Sequence, residues 1–283
     1  MKDMEKKLID IDRLIDSKNP QLRKWLPSFL LNYFKKILHE KDVNTFLSTH
    51  QDKYGVEFCD AAVNDLGITY EVFGIENIPK EGGCIFAVNH PLGGMDAIVI
   101  VSAIQAIRED IKFIVNDVLL NIENLKDMFV GVNKLGKNFK SSLKKVDETF
   151  ASNQAVFVFP AGLVSRKQKG EIRDLEWKKT FVTRARKYKK PIIPVFIKGE
   201  LSTSFYRLAN WRKRLGIKTN IEMFYLVNEF YKLKGKHVPM KFGKPIFVEE
   251  LNSNPSDTYW AAQVKSRVYE MENELNHRME SKL

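Results

Sequence analysis

Apolar residues recur at spacings of three and four between residues 22 and 38, at Leu22, Trp25, Leu26, Phe29, Leu30, Tyr33, Phe34, Ile37 and Leu38. That period predicts an amphipathic helix. Arg23, Lys24, Ser28, Asn32, Lys35 and Lys36 fill the opposite arc. Pro20 suits a helix start, and Pro27 predicts a kink or the first turn of a second helix. The stripe fits a helix packed on a core. It equally fits an interfacial helix, with Trp and Phe at the acyl boundary and Lys and Arg on anionic head groups.

Beyond Tyr54 the period changes. Ile68–Phe73 alternates with period two and ends at Gly74, which predicts a strand. Ile85–Val88, Phe113–Val115, Ala155–Phe159 and Pro191–Ile197 are short continuous apolar runs, the pattern of strands buried on both faces. Helices are predicted between them over Asp96–Arg108, Ser141–Ser152 and Leu175–Tyr188, with a long charged helix over Ser256–Asn276. Ile221–Asn228 and Pro245–Val248 are read as further strands. The alternation predicts an α/β fold: a mixed, mostly parallel sheet flanked by helices. The expected division is a helical, membrane-docking segment over 1–53 and one domain over 54–283 that includes the C-terminal helix. Sites in such sheets form beyond the carboxyl ends of the strands.

Composition narrows the class. Of 283 residues, 44% are hydrophobic, enough for a sizeable core and against a disordered chain. Two cysteines, Cys59 and Cys84, exclude a disulfide framework and a four-cysteine zinc site. No stretch approaches the roughly 18 apolar residues of a membrane span. The start, Met1-Lys2-Asp3-Met4-Glu5, lacks the apolar centre of a signal peptide, so a cytoplasmic protein is expected. The formal charge of +11 points to an anionic partner.

The sharpest chemical signal is Asn89-His90-Pro91-Leu92-Gly93-Gly94-Met95-Asp96. A buried strand delivers a His into a Gly-rich turn, and an Asp opens the next helix. Pro91 and the Gly pair permit a sharp backbone path. The Asp can fold back on the imidazole, fix its tautomer and stabilise the imidazolium. No G-x-S-x-G elbow and no Cys beside the turn supply a nucleophile, so the nucleophile is expected to be a substrate hydroxyl. Amides around Gly93 and Gly94 are candidate oxyanion donors. His39, His50, His237 and His277 lie in charged segments without comparable surroundings.

The strand from Ala155 runs into Phe159-Pro160-Ala161-Gly162-Leu163-Val164-Ser165-Arg166. A Gly turn with a hydroxyl and a guanidinium can hold a phosphate or carboxylate, although an exposed basic loop gives the same string. Gly131–Lys137 fits G-x-x-x-x-G-K, but Asn138 follows where a nucleotide loop needs Ser or Thr. A basic loop lining the substrate groove is expected there instead. Arg184–Lys190 and Trp211–Arg214 interleave basic and aromatic residues, yet no nucleic-acid-binding motif accompanies them, so a nucleic-acid partner is not expected.

Together these blocks resemble the glycerol-3-phosphate/1-acylglycerol-3-phosphate acyltransferase superfamily, over about residues 68–198. Asn89-His90 with Asp96 matches the family's first block, and Gly131–Lys134 loosely matches the second. Phe159-Pro160, Gly162, Ser165 and Arg166 match the third, and Pro191-Ile192-Ile193-Pro194-Val195 the fourth. Two departures stand out. Five residues rather than four separate His90 from Asp96, and Ala161 stands where the family has Glu. The string around His90 looks like the hemolysin-labelled subgroup, which includes O-acyltransferases of amino-acid lipids.

The resemblance implies transfer of a fatty acyl group from an acyl carrier protein or coenzyme A thioester to a lipid hydroxyl. The acceptor would be a mono-acylated amino acid or 1-acylglycerol-3-phosphate. His90 would be the base and Asp96 its orienter. Gly93, Gly94, Lys134, Gly162, Ser165 and Arg166 would bind substrate. No metal or resident cofactor is implied. An anionic membrane surface on the cytoplasmic side becomes the expected partner of residues 1–53. The competing expectation is a catalytically inactive, lipid-binding membrane protein.

Overall fold

The computed structural model describes residues 9–18, 27–132, 139–168 and 170–280. In chain order the helices are α1 (Ile11–Lys18), α2 (Ser28–Ile37), α3 (Glu40–Thr49), α4 (Gly55–Asp65), α5 (Gly94–Ile104), α6 (Phe139–Ala151), α7 (Thr180–Tyr188), α8 (Thr203–Arg214), α9 (Leu226–Lys232), α10 (Val248–Leu251) and α11 (Asp257–Glu280). The strands are β1 (Thr69–Phe73), β2 (Cys84–Val88), β3 (Ile111–Asn116), β4 (Phe129–Val132), β5 (Ala155–Val158), β6 (Arg166–Gln168), β7 (Glu171–Arg173), β8 (Ile192–Ile197) and β9 (His237–Phe242).

The chain divides into two compact units, 54–201 with 233–283, and 1–53 with 202–232. Residues 202–232 are grouped with 1–53, and the sheet lies in the unit that begins at residue 54. That grouping was invisible in sequence because it is a long-range pairing of helices. His39 stacks on Tyr231 at 4.3 Å, and the Tyr33 and Tyr225 hydroxyls share a hydrogen bond of 2.7 Å.

The larger unit is built on a seven-stranded sheet of order β1-β9-β8-β2-β5-β3-β4. Every neighbouring pair is parallel except β8 and β9. Central β2 is buried along its whole length, as a strand covered on both faces must be. Its side chains alternate between faces. Ile85 and Ala87 join Val156, Val158, Ile192 and Phe196 in a core covered by Val146 and Phe150 of α6, Phe181 of α7, and Trp260, Val264 and Val268 of α11. Phe86, from the alternate set, stacks on Phe157 at 4.2 Å, and Phe157 on Phe113 at 5.0 Å. The charged C-terminal helix is thus a core element, with its apolar stripe on the sheet.

Three expectations fail for identifiable reasons. Ile221–Asn228 is a 3₁₀ turn (Ile221–Tyr225) leading into α9, since a short apolar run does not distinguish strand from helix. Pro245–Val248 contributes only the bridge Ile192–Ile246. The strands that were not expected are β4, β6, β7 and β9, and in β9 His237, Pro239 and Lys241 break the apolar pattern. Pro239 is tolerated inside the sheet because its carbonyl accepts the Lys198 N–H. Its absent N–H therefore faces β8, just beyond the end of that ladder at Met240. The helix expected from Leu175 begins only at Thr180. In the smaller unit, Pro27 is the N-cap of α2. Leu22, Trp25 and Leu26 lie outside the described residues.

Candidate active site

The site is assembled where β2 and β5 end. Asn89 leaves β2 with a two-way clamp on β8: its Nδ2 donates to the Ile197 carbonyl at 2.9 Å, and its Oδ1 accepts the Ile197 N–H at 2.7 Å. The amide therefore fixes the exit of the strand, and the next residue, His90, leaves on a set path. Gly93 takes φ +68° and ψ −133°, and caps α5. Only glycine accepts that backbone without strain. This turn accommodates the extra residue of the five-residue spacing. Asp96 then lies at the third position of the helix, and its carboxyl points back at the turn.

His90 Nδ1–H donates to Asp96 Oδ2 at 2.8 Å. The Leu92 N–H adds a second donor to the same carboxyl at 3.1 Å. Asp96 is fully buried, and that burial, partly offset by the His90 hydrogen bond, pushes its pKa up to about 6. With the proton held on Nδ1, Nε2 carries the free lone pair, the form a general base needs. The ring itself is held flat against Phe159, centroid to centroid 4.1 Å. Phe159 in turn stacks towards Phe113, so an aromatic row runs from the core to the imidazole. Gly94 is the exposed member of an otherwise buried turn, and a Cβ there would meet nothing. Its N–H belongs to the first-turn amides that no helical carbonyl can reach. A carbonyl oxygen approaching Gly94 therefore meets donors at the positive end of a helix.

The second block forms a turn closed by Gly162 N–H on the Phe159 carbonyl at 2.9 Å. Ala161 faces inward and is buried with Trp177 and Phe181. A carboxylate at that position would sit in an apolar cluster. Gly162 has φ +68°, and a Cβ there would lie 3.2 Å from Lys178 Nζ. The ammonium of Lys178 thus lies over the turn, a cation that spacing did not single out.

Ser165 is buried, and its hydroxyl donates to Asp174 Oδ1 at 2.6 Å. Arg166 is buried too, and its Nη1 donates to the Val164 and Ser165 carbonyls. Part of its donor fork is therefore committed to its own backbone. Lys134 lies outside the described residues.

Asp174, like Lys178, was not singled out by the sequence. Its carboxyl accepts three bonds: His90 N–H at 3.2 Å, the Ser165 hydroxyl, and Trp177 Nε1–H at 2.8 Å. Its own N–H donates to the Tyr269 hydroxyl at 2.7 Å. Ser165 N–H also donates to the His90 carbonyl at 2.8 Å. Asp174 therefore ties the His90 turn, the Ser165 loop and α11 together. Replacing it with Ala strands three donors, two of them buried, and the expected cost is about 3–5 kcal/mol. Urea unfolding measures this; a loss below about 1 kcal/mol would show that the three bonds are not what holds the turn.

Neither cysteine is a nucleophile. Burial pushes the Cys59 thiol to about 12 and the Cys84 thiol to about 11, far above the range of reactive thiolates. Among the described residues no group of three or more His, Cys, Asp or Glu side chains could hold a metal ion. No helix there is long and apolar enough to cross a membrane.

A strand-delivered His held by a helix-borne Asp, at the carboxyl edge of a mostly parallel sheet, is an arrangement suited to general-base chemistry of the transferase class. Comparison with known proteins agrees with that class. Residues 13–278 match the acyltransferase family, and the chain belongs to it. It is 42% identical over 265 residues to a lyso-glycine lipid O-acyltransferase of Bacteroides thetaiotaomicron, covering 93% of this chain and 97% of that one. A lyso-glycine lipid O-acyltransferase of Phocaeicola vulgatus is 38% identical, with 93% and 95% covered. The fold is similar to that of the 1-acyl-sn-glycerophosphate acyltransferase PlsC from Thermotoga maritima, with a TM-score of 0.51, 22% identity, and 77% and 78% of the two chains covered. The protein is an acyltransferase.

Proposed function

We propose that this enzyme moves a fatty acyl group from a thioester to the hydroxyl of a mono-acylated amino-acid lipid. The observation that carries the reading is the His90–Asp96 pair, with Nδ1 anchored at 2.8 Å and Nε2 left as acceptor. Nε2 takes the proton of the acceptor hydroxyl as its oxygen bonds to the thioester carbonyl carbon. The Gly94 end of α5 stabilises the resulting oxyanion. The C–S bond then breaks, and the imidazolium returns its proton to the departing thiolate. The donor is an acyl carrier protein or coenzyme A thioester. The chain acts at the cytoplasmic face of the membrane, where its N-terminal segment docks.

Two features favour an amino-acid acceptor over a lysophosphatidate. The family Glu is replaced by buried Ala161, and the two curated relatives act on lyso-glycine lipid by name. The acceptor carboxylate is bound by Lys178 over the Gly162 turn, with Arg166 holding the loop in shape. An acceptor-swap assay tests this. Purified protein with long-chain acyl carrier protein, or the coenzyme A thioester, is offered N-(3-hydroxyacyl)glycine or lysophosphatidate. Product from the glycine acceptor alone is expected, dependent on His90. Product from lysophosphatidate alone would overturn the acceptor assignment. No His90-dependent product from either would return the chain to the inactive lipid-binding class.

A further inference from the structure

The smaller unit carries a surface that catalysis does not use. α8 buries Phe205, Tyr206 and Ala209. Its opposite side and the loop after it expose Trp211 (57%) and Leu215 (54%), with Ile217 beside them. Phe224, on the neighbouring 3₁₀ turn, is 58% exposed. Residues 203–221 contain Arg207, Arg212, Lys213, Arg214 and Lys218 and no acid.

The loop is built, not frayed. Gly216 (φ +69°) ends α8, with Gly216 N–H on the Lys213 carbonyl and Ile217 N–H on the Arg212 carbonyl, both 3.1 Å. These are the two bonds of a Schellman cap. Such a cap ordinarily packs its outer apolar residue, here Ile217, on an apolar residue one turn back. That position is Arg212, which turns inward to pair with buried Glu222 at 2.8 Å and donates to the Ile217 carbonyl at 2.7 Å. Ile217 remains exposed, as do Leu215 and Trp211. Basic residues at a helix C-terminus suit the helix dipole. The dipole gives no reason for Trp211, Leu215, Ile217 and Phe224 to stay in water.

We infer that the Trp211–Lys218 edge, with Phe224, is a docking surface for an anionic lipid bilayer: Trp211, Leu215 and Ile217 enter the head-group boundary, and Lys213, Arg214 and Lys218 contact the lipid phosphates. The inference rests on the reading of the substrate as a membrane lipid. An amphipathic wedge with Trp on the apolar side and Lys and Arg around it is what an interface favours. An acidic carrier protein would need the cations but would leave three bulky apolar side chains at a loop tip unused. The hydrogen bond between the Tyr33 and Tyr225 hydroxyls joins this edge to α2, whose Phe29 is exposed as well.

The test is co-sedimentation of the full chain with phosphatidylcholine vesicles, with and without phosphatidylglycerol. Lys213→Gln/Arg214→Gln/Lys218→Gln should weaken binding to the anionic vesicles about 10- to 100-fold and leave binding to neutral vesicles unchanged. Trp211→Gln/Leu215→Gln/Ile217→Gln should weaken both. Brominated lipid should quench the tryptophan fluorescence of the parent protein, and Trp211→Phe should remove the share of that quenching that Trp25 of the N-terminal segment does not contribute. Because Trp211→Phe is conservative, this measurement stands even where a triple variant folds poorly. Parental vesicle affinity in both folded triple variants, or quenching unchanged by Trp211→Phe, would overturn the proposal. So would loss of carrier-protein binding with vesicle binding intact, which would make the edge a protein site. None of these measurements needs turnover. A parent protein inactive on detergent-dispersed acceptor would sink the acyltransfer reading and leave the vesicle result standing.

Discussion

Replacing His90 with alanine should lower kcat/KM by about 10³–10⁴-fold, the upper range of what a positioned general base contributes. The reason is that neither cysteine nor Ser165 can stand in as a base. The cysteines are buried with raised pKa values, and the Ser165 hydroxyl is committed to Asp174. The alanine variant leaves the buried Asp96 carboxyl with the Leu92 N–H but without its imidazole partner. A protonated carboxyl resolves that at small cost, so the fold should survive. His90→Gln is the companion variant, because it retains a hydrogen-bonding side chain beside Asp96 without a titratable base. Both should show circular dichroism like the parent and the same loss of rate. The residual rate should come from substrate positioning and the amides at Gly94. Activity within tenfold of the parent in either variant would remove His90 from the chemistry.

The pair was legible in sequence because it is local. Six positions separate His90 from Asp96, and a strand, a glycine turn and a helix start leave the carboxyl few directions. The buried strands β2, β5 and β8 were legible for a related reason: covered on both faces, they read as unbroken apolar runs. What failed to show is what depends on distance or direction. Asp174 reaches His90 across 84 positions, and nothing in Asp174-Leu175-Glu176-Trp177 says that the acid turns inward. Ser165 and Arg166 had the right chemistry for an anion, but residue type does not state where a side chain points. The structure sends Ser165 to Asp174 and part of Arg166 to its own loop. β9 was hidden because Pro239 and Lys241 break the pattern that a central strand normally shows.

The two halves of the dyad should separate stability from activity. Asp96 is fully buried, and burial raises its pKa to about 6, against about 3.9 in an unfolded chain. The folded state therefore holds the proton more tightly than the unfolded state. Ionising Asp96 costs folding stability: nothing below about pH 4, increasingly through about pH 6, and fully above it, to a limit of about 3 kcal/mol. The helix N-terminus, the Leu92 N–H and the His90 ring limit that cost without removing it. Asp96→Asn removes the charge and retains an oxygen for the Leu92 N–H. Its melting temperature near pH 8 should equal or exceed that of the parent, and the advantage should vanish towards about pH 4. Activity should move the other way. An amide does not stabilise the imidazolium and can hold the ring in the wrong tautomer, so kcat should fall by about 10²–10³-fold. In the parent, kcat/KM should rise with pH as Asp96 ionises around pH 6. An Asp96→Asn protein that melts several degrees lower at every pH would mean the carboxylate is there for the fold. One that keeps most of its activity would mean His90 needs no orienter. The expected result, a more stable protein that turns over slowly, would show a buried charge retained at the expense of stability because the proton transfer requires it.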